Sequence, residues 1–166
     1  MTGIPPQLNV VFQAHQAGNF EVAERGYREI LAQTPNHADV RHLLGVLLHQ
    51  TGRHREAVPE LQAAVAINDK NATYFNHLGA ALGASGDPLA AEKAFRKALQ
   101  LAPQDAQTHY NLAALAGTLG RFAEAEKSYR DALTFNPRFA EAWFNLGNVY
   151  RDQGRFEDAA QAYRHA

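Results

Sequence analysis

The segment NLGNVYRDQGRFEDA, residues 145–159, nearly repeats the segment NLAALAGTLGRFAEA, residues 111–125. The two segments lie 34 positions apart and share Asn, Leu, Gly, Arg, Phe and Ala in the same register. A fixed period of this length is typical of proteins that stack many copies of one small structural unit.

The period of 34 runs through the chain without insertion or deletion. A glycine recurs at this spacing as Gly18, Gly52, Gly86, Gly120 and Gly154. Five residues after each glycine stands an alanine, and four residues later a large side chain: Ala23, Ala57, Ala91, Ala125 and Ala159, then Tyr27, Leu61, Phe95, Tyr129 and Tyr163. So many residue types in one register indicate a true repeat.

Each unit is predicted to form two helices around a tight turn. Apolar and small residues recur at three- and four-residue steps on both sides of the glycine, which is helical periodicity. The glycine is expected to end the first helix in a left-handed conformation. Pro35, Pro103 and Pro137 are expected to end second helices. Small residues such as Gly45 and Gly147 are expected to let the paired helices approach closely. Pro59, inside a predicted second helix, should distort it unless that helix begins later than its siblings.

This pattern resembles the tetratricopeptide repeat, whose motif is best matched by Trp143, Leu146, Gly147, Tyr150, Ala159, Tyr163 and Ala166. The resemblance implies an all-α fold, a right-handed α-solenoid of about five helix-turn-helix repeats. We number the repeats one to five, in one solenoid domain over residues 4–166: residues 4–37, 38–71, 72–105, 106–139 and a shortened 140–166.

Composition argues against several classes of protein. The net charge is −1, and lysines and arginines are not clustered, so nucleic-acid binding is not expected. There is no cysteine, which removes disulfides and thiol chemistry. No signal peptide and no apolar run of about 18 residues are present, so we expect a cytoplasmic protein that does not bind membranes.

The histidines do not form a recognisable catalytic or metal-binding motif. His42 and His49 share a helix face but would lie roughly 10 Å apart along the axis. His-Glu-x-x-His, phosphate-loop and nucleophile-elbow patterns are all missing. The sequence therefore predicts no metal, no cofactor and no enzymatic activity.

The resemblance implies that the first helices line a concave groove that binds peptides or proteins. The predicted groove residues are Leu8, Asn9, Phe12, His15, His42, His49, Asn76, His77, Tyr110, Asn111, Phe144, Asn145, Asn148 and Arg151. Asparagine amides can donate to and accept from a peptide backbone at once. Asn9, Asn111 and Asn145 also resemble the asparagines of repeat arrays that precede O-GlcNAc-transferase-type glycosyltransferases, although Leu43 and His77 interrupt that series.

The last residue of the chain, Ala166, falls within a predicted helix. Repeat arrays usually finish with a polar capping helix. We therefore expect Ala159, Ala162 and Tyr163 to be exposed, and the chain to be a fragment or to self-associate through this end.

The leading hypothesis is a non-catalytic module that binds a peptide or protein segment in its groove. Two alternatives stay open. The repeats could be the substrate-recognition arm of a larger glycosyltransferase-like enzyme, or a scaffold that forms homo-oligomers through its uncapped ends.

Overall fold

A computed structural model describes residues 6–166, so the first two residues of predicted repeat one lie outside the described residues. The described part contains ten α-helices and no strand, in two compact units that divide between Asp87 and Pro88. The first unit contains α1 (Pro6–Gln16), α2 (Phe20–Gln33), α3 (Ala38–Gln50), α4 (His54–Ile67) and α5 (Ala72–Ser85). The second contains α6 (Pro88–Leu101), α7 (Ala106–Thr118), α8 (Phe122–Phe135), α9 (Ala140–Asp152) and α10 (Phe156–His165).

Within each unit, helices pack against their neighbours in the order of the chain, as a repeat fold requires. Below, α1, α3, α5, α7 and α9 are called the first helices and the others the second helices. In the first unit α2 packs on α3 and α4 packs on α5, while in the second unit α8 packs on α9. Each of these contacts joins the second helix of one repeat to the first helix of the next.

The five predicted turn glycines all have the left-handed conformation. Their φ angles are 77° at Gly18, 78° at Gly52, 96° at Gly86, 69° at Gly120 and 76° at Gly154. After each glycine the next amide donates back into the finished helix, as Arg53 N does to the Leu48 carbonyl at 2.8 Å. This is a Schellman turn, and it satisfies a carbonyl that the helix end leaves free.

Three second helices end before a proline, as predicted. Helices α2, α6 and α8 each finish two residues before Pro35, Pro103 or Pro137. The carbonyl of each proline is bonded by a side chain of the following first helix. The bonding atoms are Arg41 Nε at 2.7 Å, His109 Nε2 at 2.9 Å and Trp143 Nε1 at 3.0 Å.

Glycines in first helices permit close packing, which confirms that prediction. A Cβ at Gly45 would meet Leu61 Cγ at 2.5 Å, and one at Gly147 would meet Tyr163 Cε1 at 2.5 Å. In repeat one the large and small residues are exchanged between the two helices, because Val11 of the first helix stands at the glycine position. There Gly26 of α2 is the small residue, and a Cβ on it would overlap the Val11 side chain.

Pro59 does not interrupt its helix, so the expected distortion is not found. Helix α4 runs through it and begins at His54, in register with the starts of α2 and α8. Pro59 cannot donate to the carbonyl of Arg55. Both residues are exposed, so water can reach that carbonyl.

A series of ion pairs joins successive repeats, and sequence reasoning did not find it. An arginine in the turn of one repeat binds a glutamate in the second helix of the repeat before, 29 residues earlier. These pairs, here called the Arg–Glu ladder, are Arg53–Glu24 at 2.8 Å, Arg121–Glu92 at 3.0 Å and Arg155–Glu126 at 2.7 Å. The same glutamates also bind an arginine one helical turn later: Arg28, Arg96 and Arg130.

The Arg–Glu ladder has one gap inside the first unit. Between repeats two and three the corresponding residues are Val58 and Asp87, which cannot form this pair. The spacing of 29 was readable in the register of the repeats. Net charge does not reveal these pairs, because their opposite charges cancel.

The expected exposure of the last helix is wrong for two of its three residues. Ala159 and Ala162 are 3% and 2% exposed, because both belong to the core of the second unit. Tyr163 is half-buried beside Gly147. Ala159 and Ala162 pack into this core together with residues of α9, so these two residues do not form a free end surface.

Candidate peptide-binding surface

First helices of neighbouring repeats are joined by side-chain hydrogen bonds between residues 35 positions apart. In the first unit His42 Nε2 lies 2.7 Å from His77 Nδ1, and in the second unit Asn145 Nδ2 donates to Tyr110 Oη at 3.0 Å. The repeat is 34 residues long. Each bond therefore joins a residue of one first helix to the residue one place beyond its equivalent in the first helix of the next repeat. Four of the predicted groove residues are thus brought together in two pairs.

His42 is the centre of a polar cluster on α3 and α5. Its ring stacks on the ring of Tyr74 with centroids 4.5 Å apart, and the hydroxyl of Tyr74 donates to Asp39. Burial and the neighbouring His77 lower the pKa of His42 to about 4, while the Asp39 carboxylate acts in the opposite direction. His42 is therefore neutral near pH 7, and in the bond between the two rings one nitrogen donates and the other accepts.

The other two predicted groove histidines are also bonded within the fold. His15 is buried, with Nδ1 3.0 Å from Tyr27 Oη and Nε2 2.8 Å from Gln50 Oε1. His49 Nδ1 lies 2.9 Å from His54 Nδ1. Burial lowers the pKa of His49, and His54 lowers it further. These rings mainly tie helices together.

Four more predicted residues lie in the first unit with different exposure. Leu8 and Asn76 are buried, so neither offers much surface to a ligand. Asn9 and Phe12 are exposed on α1.

The second unit carries a directed series of hydrogen bonds, here called the amide chain, formed by Tyr163, Asn148, Asn145 and Tyr110. Tyr163 Oη donates to Asn148 Oδ1 at 2.9 Å, and Asn148 Nδ2 donates to Asn145 Oδ1 at 3.3 Å. Asn145 Nδ2 then donates to Tyr110 Oη. Each amide nitrogen has a second hydrogen, and the Tyr110 hydroxyl retains its own. The amide chain thus fixes both asparagines while leaving donors for a ligand.

The remaining predicted residues of the second unit lie on the same first helices, α7 and α9. Phe144 is 53% exposed. Asn111 accepts from Gln107 Nε2 at 3.1 Å. Arg151 is exposed and paired with Asp152 at 2.8 Å. This surface therefore combines amides, an exposed aromatic ring and an internally neutralised arginine.

A cavity of about 480 Å³ lies elsewhere in the second unit, between the second helices α8 and α10 and above α9. Trp143, Tyr150 and Leu133 line it. Of the predicted site residues only Ala162 lies there.

Among residues 6–166, no three histidine, aspartate or glutamate side chains converge as a metal site would require. Nor does any helix in that range have the length and apolar character needed to cross a bilayer.

Comparison with known families decides the classification. Family models described as tetratricopeptide repeat match residues 14–82, 77–135 and 110–166. The chain belongs to the tetratricopeptide-repeat family. The fold class predicted from the 34-residue period is thereby confirmed, and tetratricopeptide-repeat proteins generally serve as protein-interaction modules.

Solved tetratricopeptide-repeat structures resemble the chain over nearly its whole length. PilF of Pseudomonas aeruginosa has 22% identity and a TM-score of 0.86, covering 96% of this chain and 72% of its own. MamA of Desulfovibrio magneticus RS-1 has 17% identity and a TM-score of 0.85, covering 98% and 94%. YrrB, a TPR protein with an unusual peptide-binding site, has 20% identity and a TM-score of 0.75, covering 96% and 82%. At these identities the likeness shows the fold. No protein of curated function is matched by sequence.

Proposed function

We propose that the chain is a non-catalytic interaction module that binds an extended peptide segment on the first-helix surface of its second unit. The observation that carries this proposal is the amide chain with Phe144 exposed beside it. Membership of a family of interaction modules supports it, as does the peptide-binding site of YrrB.

The amide chain suits a peptide backbone for a physical reason. A free asparagine must lose side-chain freedom when it binds, whereas Asn145 and Asn148 are already held by their bonds to each other and to Tyr110 and Tyr163. Their second hydrogens can meet peptide carbonyls, and the ring of Phe144 can cover an apolar peptide side chain. The amides and phenols carry no charge, so we expect ligand affinity to depend weakly on salt.

The first unit offers less to a peptide. His42 and His77 are bonded to each other, and His15 is buried. A ligand there would have to break bonds that already join the helices. The proposed peptide site is therefore assigned to α7 and α9.

The test starts from a phage-displayed library of random linear peptides, selected against the full chain. The affinity of a selected peptide is then measured by titration calorimetry for wild type, Asn145→Ala and Asn148→Ala. Each asparagine variant should bind about fivefold more weakly, since one lost hydrogen bond at a pre-organised site is worth about 1 kcal/mol. The matched control is Gln100→Ala, which removes an exposed amide from the second helix α6.

Circular dichroism must show unchanged helicity in all three variants. Equal affinity for wild type and both asparagine variants would refute the assignment to the amide chain. So would a loss of affinity in Gln100→Ala as large as theirs.

A further inference from the structure

The cavity of about 480 Å³ in the second unit has the size and the lining of a small-molecule site. Pockets that bind small molecules typically measure about 300–1,000 Å³ and combine apolar walls with a few polar groups. The apolar wall here is formed by the buried side chains of Leu133, Leu146 and Ala162 and by the ring of Trp143. None of these side chains belongs to the proposed peptide site.

Tyr150 gives this cavity a buried hydrogen-bond donor. It lines the cavity and is 5% exposed, and its hydroxyl oxygen accepts from Arg130 Nε at 3.2 Å and from Arg130 Nη2 at 3.0 Å. Both lone pairs of the oxygen are thus occupied, and among residues 6–166 no atom accepts the hydroxyl hydrogen. A hydroxyl that accepts from a cation is a stronger donor, because successive hydrogen bonds polarise one another. The Tyr150 hydroxyl is therefore available to donate to a ligand.

Asp158 gives the cavity an acceptor on the side of α10. Its Oδ2 accepts from Arg155 Nε at 2.7 Å, and Arg155 Nη2 lies 2.7 Å from the same oxygen. The second carboxylate oxygen, Oδ1, accepts no hydrogen bond from any of the described residues. Arg155 thus holds the carboxylate in place while one of its oxygens is left for an N–H group of a ligand.

The donor and the acceptor together select one class of ligand. A ligand carboxylate could accept from Tyr150 but would be repelled by the carboxylate of Asp158. A ligand ammonium group could donate to Asp158 but would be repelled by the guanidinium of Arg130. Both lining charges already have partners, since Arg130 pairs with Glu126 at 3.1 Å and Asp158 with Arg155. A neutral carboxamide avoids both repulsions, because its carbonyl accepts and its N–H donates.

The equivalent groove one repeat earlier lacks these features. Ala116 stands there at the position of Tyr150, so no hydroxyl is present, and the cavity measures only about 170 Å³. Lys127 stands at the position of Gln161 and adds a cation to the lining. The larger cavity with its buried donor is therefore not a regular consequence of stacking these repeats.

We propose that the cavity between α8, α9 and α10 binds a small neutral carboxamide that has an apolar body. The ligand carbonyl accepts from the Tyr150 hydroxyl, and the ligand N–H donates to Asp158. The apolar body packs against Leu133, Leu146 and the Trp143 ring, which removes its surface from water. This site is independent of the proposed peptide site.

The first experiment titrates the full chain with cyclohexanecarboxamide and follows tryptophan fluorescence. Trp143 is the only tryptophan of the chain and lines the cavity, so its emission reports occupancy. We expect a saturable change. Cyclohexanecarboxylate has nearly the same shape but is ionised near pH 7, and it should bind at least about tenfold more weakly. A change that does not saturate, or equal affinity for the two compounds, overturns the proposal without the use of any variant.

A first variant tests the donor. Tyr150→Phe removes only the hydroxyl and should weaken binding of cyclohexanecarboxamide by about fivefold or more. The matched control is Tyr129→Phe, which removes a buried hydroxyl of α8 that does not line the cavity and should leave the affinity unchanged. Circular dichroism must show unchanged helicity in both variants. Unchanged affinity in Tyr150→Phe overturns the assignment of the donor.

A second variant tests the discrimination between the two compounds. Asp158→Asn removes the carboxylate that repels cyclohexanecarboxylate, so the preference for the amide should fall by about fivefold or more. The matched control is Asp152→Asn, which removes an exposed carboxylate at the end of α9 and should leave the preference unchanged. A preference that is the same in Asp158→Asn and wild type overturns the carboxamide as the ligand class.

Discussion

Gly147 on α9 lies so close to Tyr163 on α10 that a methyl group in place of its hydrogen would overlap the tyrosine ring. The absence of a Cβ at Gly147 permits the close approach of the two helices of repeat five. Gly117 on α7 presents the opposite case, because a Cβ there would meet nothing within 4 Å. Two glycines in first helices thus serve different purposes.

Replacing each of these glycines by alanine should change stability in opposite directions. Gly147→Ala should lower the free energy of unfolding by about 1–3 kcal/mol, since the Tyr163 ring must move out of its packed position. Gly117→Ala should raise it by up to about 1 kcal/mol, since alanine favours the helix. Urea unfolding followed by circular dichroism measures both. A stabilised Gly147→Ala protein would contradict the close packing described for this pair.

Glu126 should contribute more to stability than an exposed glutamate. It binds both Arg130 and Arg155, and its side chain is only 18% exposed. Glu126→Gln should lower the free energy of unfolding by about 1–2 kcal/mol, because charge-assisted bonds are lost from a partly desolvated site. The control is Glu29→Gln, where the contact with Arg25 is 3.9 Å long and exposed, so the expected change is below about 0.5 kcal/mol. Equal losses in the two variants would remove any special role for the Arg–Glu ladder.

Acid should destabilise the first unit through His42. Its pKa is about 4 in the folded protein and has its ordinary value of 6.5 in the unfolded chain. The unfolded state therefore takes up this proton first, and the contribution of neutral His42 to stability is complete above pH 6.5. It is lost as the pH falls from 6.5 to about 4, by at most about 3 kcal/mol.

The measurement for His42 is the free energy of unfolding between pH 4 and pH 8 for wild type and His42→Gln. The difference between the two proteins removes the contribution of all other titrating groups. The variant should show a flatter dependence between about pH 4 and 6.5. Parallel curves for the two proteins would mean that His42 titrates alike in the folded and unfolded states.

Pro59→Ala should stabilise the protein. The substitution supplies the missing amide for the carbonyl of Arg55 and removes a poor helix former from the interior of α4. The expected gain is about 1–3 kcal/mol in the free energy of unfolding. Pro88→Ala is the control, because Pro88 is the first residue of α6, where no amide partner is lost and proline is well tolerated. A gain of the same size at Pro88 would argue against this explanation.

The sequence predicted those features that depend on local backbone requirements. Gly120 must adopt a positive φ, and Pro137 must follow the end of a helix, whatever surrounds them. The close approach of the two helices at Gly147 was also predicted, because a small residue recurs there, but its contact with Tyr163 was not. These residues were sufficient to predict the repeat architecture.

Features that depend on how one helix lies across another were not predicted. Tyr110 and Asn145 were both expected on the binding surface, yet their hydrogen bond depends on an offset of one residue between stacked helices. His15 was expected to face a ligand, but the same offset places it against Gln50, where it is buried. No spacing within one helix reveals such an offset, since it arises only when repeats stack.

The Arg–Glu ladder has a consequence for how the gene for such a protein can change length. Loss of repeat four, residues 106–139, would bring Glu92 beside Arg155 and preserve an attractive contact. Loss of repeat two, residues 38–71, would instead bring Glu24 beside Asp87, two carboxylates that repel each other. In-frame deletion of one repeat would thus keep the Arg–Glu ladder at one junction and break it at another, so the charges restrict which repeats can be favourable neighbours.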